Sequence, residues 1–332
     1  MQVAVIGAGS WGTTIADLVA RNGHRVAIWA YETEVVDSIN GQHENAVFLP
    51  GASLAPGIVA HRDIADAVSE AELVVSASPS HAVRSVTGEV GGALRGRTPL
   101  VVSLSKGIEE GTDAFMSAIL CETMPGCAVT VVSGPSFARE VFEQQPTALV
   151  AASRDHAAAE EVQRVLSNGY FRVYTSADVC GVELGGSLKN VIALAAGILE
   201  GLGLGSNPRA ALITRGLAEM ARLGDALGAD ARTFAGLAGM GDLLLTATGT
   251  QSRNHSLGVE LGKGRALDAV LAERRSVAEG VRTARTAVDL AERVKVELPI
   301  ASEVSRILFD GKSPKQAIDH LMGRELRAEH DR

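Results

Sequence analysis

The sequence predicts a doubly wound α/β domain over residues 1–177 followed by an all-helical domain over 178–332. Three observations carry this reading. Short apolar runs recur through the first half: QVAVI (2–6), RVAIW (25–29), LVVSAS (73–78), LVVSLS (100–105), AVTVVS (128–133), TALVAAS (147–153) and FRVYT (171–175). Amphipathic stretches such as TTIADLVARNG and HAVRSVTGEVGGAL separate most of them, which signifies a parallel sheet with helices on both faces. From Asp178 onward no convincing strand follows, only Ala/Leu/Gly-rich helical runs.

Composition agrees with this layout. A chain of 332 residues, 46% hydrophobic, can bury a large core, and its length favours two domains. Charged residues, at 21%, are spread throughout and argue against disorder. The net charge of -8 with no basic stripe argues against a nucleic-acid partner, so an anionic ligand would need a few placed cations. MQVAVIGAG enters a strand pattern directly, without the features of a signal peptide. Cys121, Cys127 and Cys180 match no metal-ligand spacing and read as reduced thiols of a cytoplasmic protein, with no metal expected. VELGGSLKNVIALAAGILEGLGLG is apolar enough to suggest a membrane span, but Glu183, Lys189, Glu200 and its glycines favour a buried central helix. RELRAEHDR reads as a frayed, charged tail.

The first strand runs into Gly7-x-Gly9-x-x-Gly12, which opens a helix within about thirty residues of the second strand. In this Rossmann-like setting Gly7 permits the tight turn, Gly9 lets the backbone approach a pyrophosphate, and Gly12 packs helix against strand. The helix N-terminus then faces the phosphates. The cofactor is NAD or NADP. Glu32, about twenty residues past Gly12, favours NAD if it binds the ribose 2′-hydroxyl, but equally suits a solvated helix face. No arginine stands at Ala30 or Tyr31 to take a 2′-phosphate, so the choice stays open. Ligands of such sheets bind beyond the carboxyl ends of the strands, where Ser78-Pro79-Ser80-His81, Ser105-Lys106-Gly107 and Ser133-Gly134-Pro135-Ser136 fall. Lys106 there is either a ligand contact or an exposed surface lysine, and His81 reads as a cap or surface histidine.

Lys189 lies inside the most apolar helix, among Leu188, Val191 and Ile192. A buried ammonium either snorkels out or has its pKa lowered, and a lysine poised near neutrality is a usable general acid–base. Asn190 adds a carboxamide able to orient a hydroxyl or carbonyl. Asp242, in the apolar run GLAGMGDLLL, either pairs with Lys189 or caps a helix before Leu243. Ser252-Arg253-Asn254 precedes another helical run, an arrangement suited to a phosphate or to a plain surface turn. Together these features suit hydride transfer on a small phosphorylated carbonyl or alcohol.

GAGSWGTTIA, HENAVFLPG, SLSKGIEEGT, SGPSFAREV, VELGGSLKNVIALAAGI, NPRAALITRGLAEM, GLAGMGDLLLTATGTQSRN and AEGVRTA, taken in order, resemble the NAD(P)-dependent glycerol-3-phosphate dehydrogenases of the bacterial soluble type. The resemblance implies a helical domain like that of 6-phosphogluconate dehydrogenase. It implies reversible reduction of dihydroxyacetone phosphate to sn-glycerol 3-phosphate for phospholipid synthesis, by a cytoplasmic homodimer using NAD or NADP. By resemblance Lys189 is the catalytic acid–base, with Lys106 and Asp242 as its catalytic partners. Lys106, Gly134, Ser136, Asn190, Thr246, Ser252, Arg253 and Asn254 correspond to substrate positions. Gly7, Gly9, Ser10, Trp11, Gly12, Tyr31, Lys106, Ala138, Arg253, Val277 and Glu279 correspond to cofactor positions. Three departures stand out: Tyr31 where relatives often carry arginine or histidine, TATGTQSRN with Ala247 and Gly249 expected to loosen a substrate loop, and HENAVFLPG with Ala46 and Phe48. The competing readings are a related hydroxyacid dehydrogenase and a nicotinamide-binding sensor without catalysis.

Overall fold

The computed structural model describes residues 1–274, 278–326 and 328–329. Its sheet contains β1 (Gln2–Ile6), β2 (Arg25–Trp29), β3 (Ile58–His61), β4 (Leu73–Ser76), β5 (Leu100–Ser103), β6 (Val129–Ser133), β7 (Thr147–Ala152) and β8 (Phe171–Ser176). Their spatial order is β3-β2-β1-β4-β5-β6-β7-β8, so the winding reverses between β1 and β4 and a ligand crevice opens at the carboxyl ends there. Helices α1 (Ser10–Arg21), α2 (Thr33–Gln42), α3 (Ile64–Val68), α4 (Val83–Leu94), α5 (Met116–Thr123), α6 (Ala138–Phe142) and α7 (His156–Leu166) lie between the strands. One face of the sheet buries Val5, Ile28 and Val75 against α1 and α2, and the other buries Ile6, Val74 and Val101 against α4 and α5. Burial on both faces is why the strands read as unbroken apolar runs.

Two features depart from the sequence reading. The edge strand β3, IVAH, is only four residues long, too short to stand out as an apolar run. β7 runs antiparallel to β6, whereas the other pairings are parallel. The β6–β7 connection carries only the five-residue α6, too little to return the chain across the sheet, so β7 starts back from the ligand edge. The runs expected at 73–78 and 100–105 pair only as far as Ser76 and Ser103, and their remaining residues leave the sheet to line that edge.

Among the described residues everything after β8 is helical. α8 (Val179–Gly201), α9 (Ser206–Ala226), α10 (Ala231–Phe234) and α11 (Asp242–Thr248) come first. α12 (Arg253–Gly262), α13 (Leu267–Ala272), α14 (Glu279–Arg293), α15 (Pro299–Phe309) and α16 (Pro314–Met322) follow. The Asp178 side chain caps α8 by accepting the Gly181 N–H at 2.9 Å. α8 is long and apolar enough to cross a membrane, yet its apolar stretch is wholly buried inside the protein. Val131, Ala152, Val182 and Ala238 pack together where sheet meets helices.

A strap over residues 105–117 joins the two parts. Ile108 is buried in the helical core with Leu188 and Leu243, and Phe115 packs beside it. Ser117 N–H donates to Glu183 Oε1 at 2.8 Å, Arg282 pairs with Glu110 at 3.3 Å, and Arg293 pairs with Asp113. Burial pushes the Glu183 carboxyl up to about 7, with the Ser117 bonds opposing it. In the expected tail Arg324 pairs with Glu297 at 2.8 Å, while residue 327 and residues 330–332 lie outside the described residues.

Candidate active site

Between β1 and α1 the chain turns through Gly7, whose φ of +114° suits glycine. A side chain at Gly7 would press on the Ala77–Ser78 backbone, and one at Gly12 would collide with the Gly7 carbonyl. One at Gly9 would meet nothing within 4 Å. The outer glycines therefore serve packing, and Gly9 leaves open ground over the N-terminus of α1. Gly9 is also the N-cap of α1 and offers no side-chain cap, so the first N–H groups are available to an anion. This cradle fits a dinucleotide pyrophosphate.

Asn45 braces the turn from behind. Its Nδ2 donates to Ala8 O and Thr13 Oγ1, both at 2.8 Å, while Oδ1 accepts the Phe48 N–H at 3.0 Å. The sequence reading had no role for it, because only the fold brings HEN back to the glycine turn. Thr14 Oγ1 is shared between Ser10 O at 2.9 Å and Ala138 O at 3.2 Å, tying α1 to α6 at the cradle rim. Trp11 is half-buried against the main core, and Tyr31 stands 79% exposed beyond β2.

A charged cluster occupies the junction of sheet and helices. Asp242, first in α11 and directly after a π-helical turn at Leu237–Gly241, accepts from Lys106 Nζ through Oδ2 at 2.7 Å and from Lys189 Nζ through Oδ1. Such turns recur at functional sites. Lys189 Nζ also donates to Thr246 Oγ1 at 2.9 Å, and Lys106 Nζ reaches Gly134 O at 3.4 Å. Side-chain exposure is 8% for Lys189, 1% for Asp242 and 19% for Lys106. Lys189 therefore does not snorkel, Lys106 is not a free surface lysine, and Asp242 pairs with cations instead of capping α11.

Burial pulls Lys189 down to about 7; Asp242 opposes the shift and the neighbouring Lys106 charge adds to it. Burial alone would raise the Asp242 carboxyl, but the two ammonium groups outweigh it and hold it below the usual carboxylate range. With both lysines protonated the three groups carry one positive charge, in a chain that is net acidic. That excess suits an oxygen gaining negative charge.

The remaining predicted residues extend from this cluster. Asn254 Nδ2 donates to Asn190 Oδ1 at 2.9 Å, and its own Oδ1 accepts the Gly280 N–H at 2.9 Å. Ser252 caps α12 by accepting the His255 N–H at 3.2 Å, and Ser136 Oγ donates to Gly134 O at 3.1 Å. Arg253 opens α12 with an exposed side chain; local desolvation lowers its pKa and Glu279 partly restores it. Glu279 in turn accepts the Ser80 N–H at 3.1 Å and the Ser80 hydroxyl, a link that the sequence did not reveal. No hydrogen bond among the described residues joins Ser252 or Arg253 to the lysines, and Val277 lies outside the described residues. The TATGTQSRN stretch is not loosened: Ala247 is buried in the helical core, and a Cβ on Gly249 would overlap the Phe137 ring.

The family model described as NAD-dependent glycerol-3-phosphate dehydrogenase N-terminus matches residues 2–159, and its C-terminus counterpart matches residues 178–319. The chain belongs to this family. It is 51% identical over 331 residues to a curated relative named glycerol-3-phosphate dehydrogenase [NAD(P)+] from Citrifermentans bemidjiense, covering 99% of this chain and 98% of the relative. A relative of the same name from Geobacter sulfurreducens is 52% identical, with 99% and 98% covered. The crystal structure of glycerol-3-phosphate dehydrogenase from Coxiella burnetii superposes with a TM-score of 0.93 at 36% identity, over 97% of this chain and 99% of that one. Family membership makes this chain an enzyme that uses NAD or NADP on a small-molecule substrate.

Proposed function

We propose that this enzyme reversibly reduces dihydroxyacetone phosphate to sn-glycerol 3-phosphate, supplying glycerophospholipid synthesis. The supporting observation is a lysine buried to near neutrality and joined through one aspartate to a second lysine, at the ligand edge of a sheet that carries a dinucleotide cradle. The nicotinamide supplies or accepts the hydride at C2 when bound. Lys189, as an ammonium, gives its proton to the C2 oxygen as the carbonyl becomes an alkoxide, and as an amine takes the proton back in the reverse direction. Lys106 adds positive charge beside that oxygen, and Asp242 fixes both ammonium groups. Arg253 at the start of α12, with Ser252, Asn254 and Ser136, is the proposed phosphate-binding group. Gly134, Asn190 and Thr246 complete the substrate surroundings; Ser10, Trp11, Ala138, Tyr31 and Glu279 line the cofactor side.

The same resemblance supports a cytoplasmic homodimer, and the change from strand to helical patterning after Ala177 supports a domain boundary at 177/178. Sedimentation mass and limited proteolysis test the dimer and the boundary. The reaction is tested by following loss of NADH and NADPH with dihydroxyacetone phosphate. Turnover with at least one is expected; none, in a protein that still binds dinucleotide, would leave the sensor reading.

A further inference from the structure

The cofactor's outer ribose depends on what stands beyond β2, and the fold puts there a residue that the local sequence does not contain. β2 and β3 pair in parallel with Trp29 opposite His61, and Ala30 N–H donates to His61 O at 3.1 Å. The next residue after β3, Arg62, therefore lies beside the β2–α2 turn. Its carbonyl accepts the Trp29 indole N–H at 3.0 Å, and its guanidinium donates to the Thr33 hydroxyl. The guanidinium thus lies over the turn that bears Tyr31 and Glu32. The Glu32 carboxylate does not cap α2, and the Asp63 carboxylate is occupied in capping the Ala65 N–H at 2.7 Å. Among the described residues no carboxylate pairs with Arg62, whose side chain is exposed beside an open cleft of about 560 Å³ that Trp29 and Tyr31 also line.

An acidic group at the end of β2 takes a ribose 2′-hydroxyl, whereas a nearby arginine accommodates a 2′-phosphate through charge-assisted, bidentate contact. We propose that Arg62 is the residue through which this enzyme binds NADPH, holding the 2′-phosphate while Glu32 opposes it. This deepens the reading given under Proposed function and rests on it. It also explains why Tyr31 can replace a cation: the cation arrives from the neighbouring strand. Arg62→Lys keeps a charge but loses the fork, so it should fall between the wild type and Arg62→Gln.

The test is calorimetric binding of NADPH, NADH, 2′,5′-ADP and 5′-ADP to the full chain, with wild type, Arg62→Gln, Arg62→Lys and Glu32→Gln compared. Arg62→Gln should weaken NADPH and 2′,5′-ADP about tenfold or more, the worth of a charge-assisted contact, with NADH and 5′-ADP unchanged. Glu32→Gln should strengthen the 2′-phosphorylated pair. Equal losses for both pairs, no loss for either, or a wild type that binds no 2′-phosphorylated ligand would overturn the proposal. Dihydroxyacetone phosphate turnover is read in parallel. Absent turnover with intact discrimination between the pairs would fail the reaction and leave Arg62 standing; normal NADH-linked turnover without discrimination would do the reverse.

Discussion

The glycine cradle and the Lys106–Asp242–Lys189 cluster both offer donors suited to negative charge, but with different materials. At the cradle the donors are main-chain N–H groups, and the sequence contributes mainly by leaving side chains out. At the cluster the donors are two ammonium groups held by one buried carboxylate, and their side chains come from three separate segments. The first design costs little in desolvation because peptide groups carry no net charge. The second must offset the removal of three charges from water, and the lowered pKa of Lys189 is the visible result. The cradle is thereby suited to hold a ligand and the cluster to exchange a proton with one.

Substitutions can separate these roles. Lys189→Met should reduce kcat by ~10² to 10⁴-fold while leaving the dinucleotide dissociation constant as it was, measured by steady-state kinetics and calorimetry. A near-normal kcat would remove the lysine from the reaction. Asp242→Asn leaves two buried ammonium groups without their carboxylate and should destabilise the fold by about 3–5 kcal/mol in urea unfolding. It should also lower the Lys189 pKa further, because the opposing charge of Asp242 is gone. At the cradle two neighbouring glycines should behave oppositely. Gly12→Ala, which overpacks against the Gly7 carbonyl, should cost about 1–3 kcal/mol of stability. Gly9→Ala, whose methyl enters open space, should leave unfolding unchanged and weaken dinucleotide binding. If both lose stability equally, the division between packing and ligand-facing glycines fails.

The mildest perturbation is pH. Reduction needs the Lys189 ammonium, so its kcat/KM should fall as pH rises through about 7; oxidation needs the amine, so its kcat/KM should climb over the same range. Each limb should approach tenfold per pH unit, and Lys189→Met should abolish both. Profiles that move in the same sense for the two directions would assign the titration elsewhere.

How much the sequence revealed follows the same contrast. Strands buried on both faces announce themselves as apolar runs, and a lysine inside an apolar helix is conspicuous wherever it occurs. The orientation of β7 was hidden because it depends on the length of α6, not on the strand's own residues. The partners of Asn45, Ser80 and Arg62 were hidden for a related reason: each is an ordinary polar residue until strand register or domain packing sets it against Ala8, Glu279 or Thr33. Local chemistry was legible; of the juxtapositions across elements, the sequence offered the Lys189–Asp242 pair, as one of two readings, because each is a charged group stranded in an apolar run.

The strap over residues 105–117 bears on how the enzyme works as a mechanical object. Lys106 follows β5 directly, yet the chain just beyond it is bolted to the helices through Ile108, Phe115, Ser117 and two ion pairs. Lys106 therefore stands between two anchorages: Ser105 Oγ donates to Ser78 O at 2.6 Å on the sheet side, while Lys106 Nζ and the strap beyond it are held to the helices that carry Lys189 and Asp242. The three charges are thus already assembled by the fold, so binding of a reactant need not bring them together.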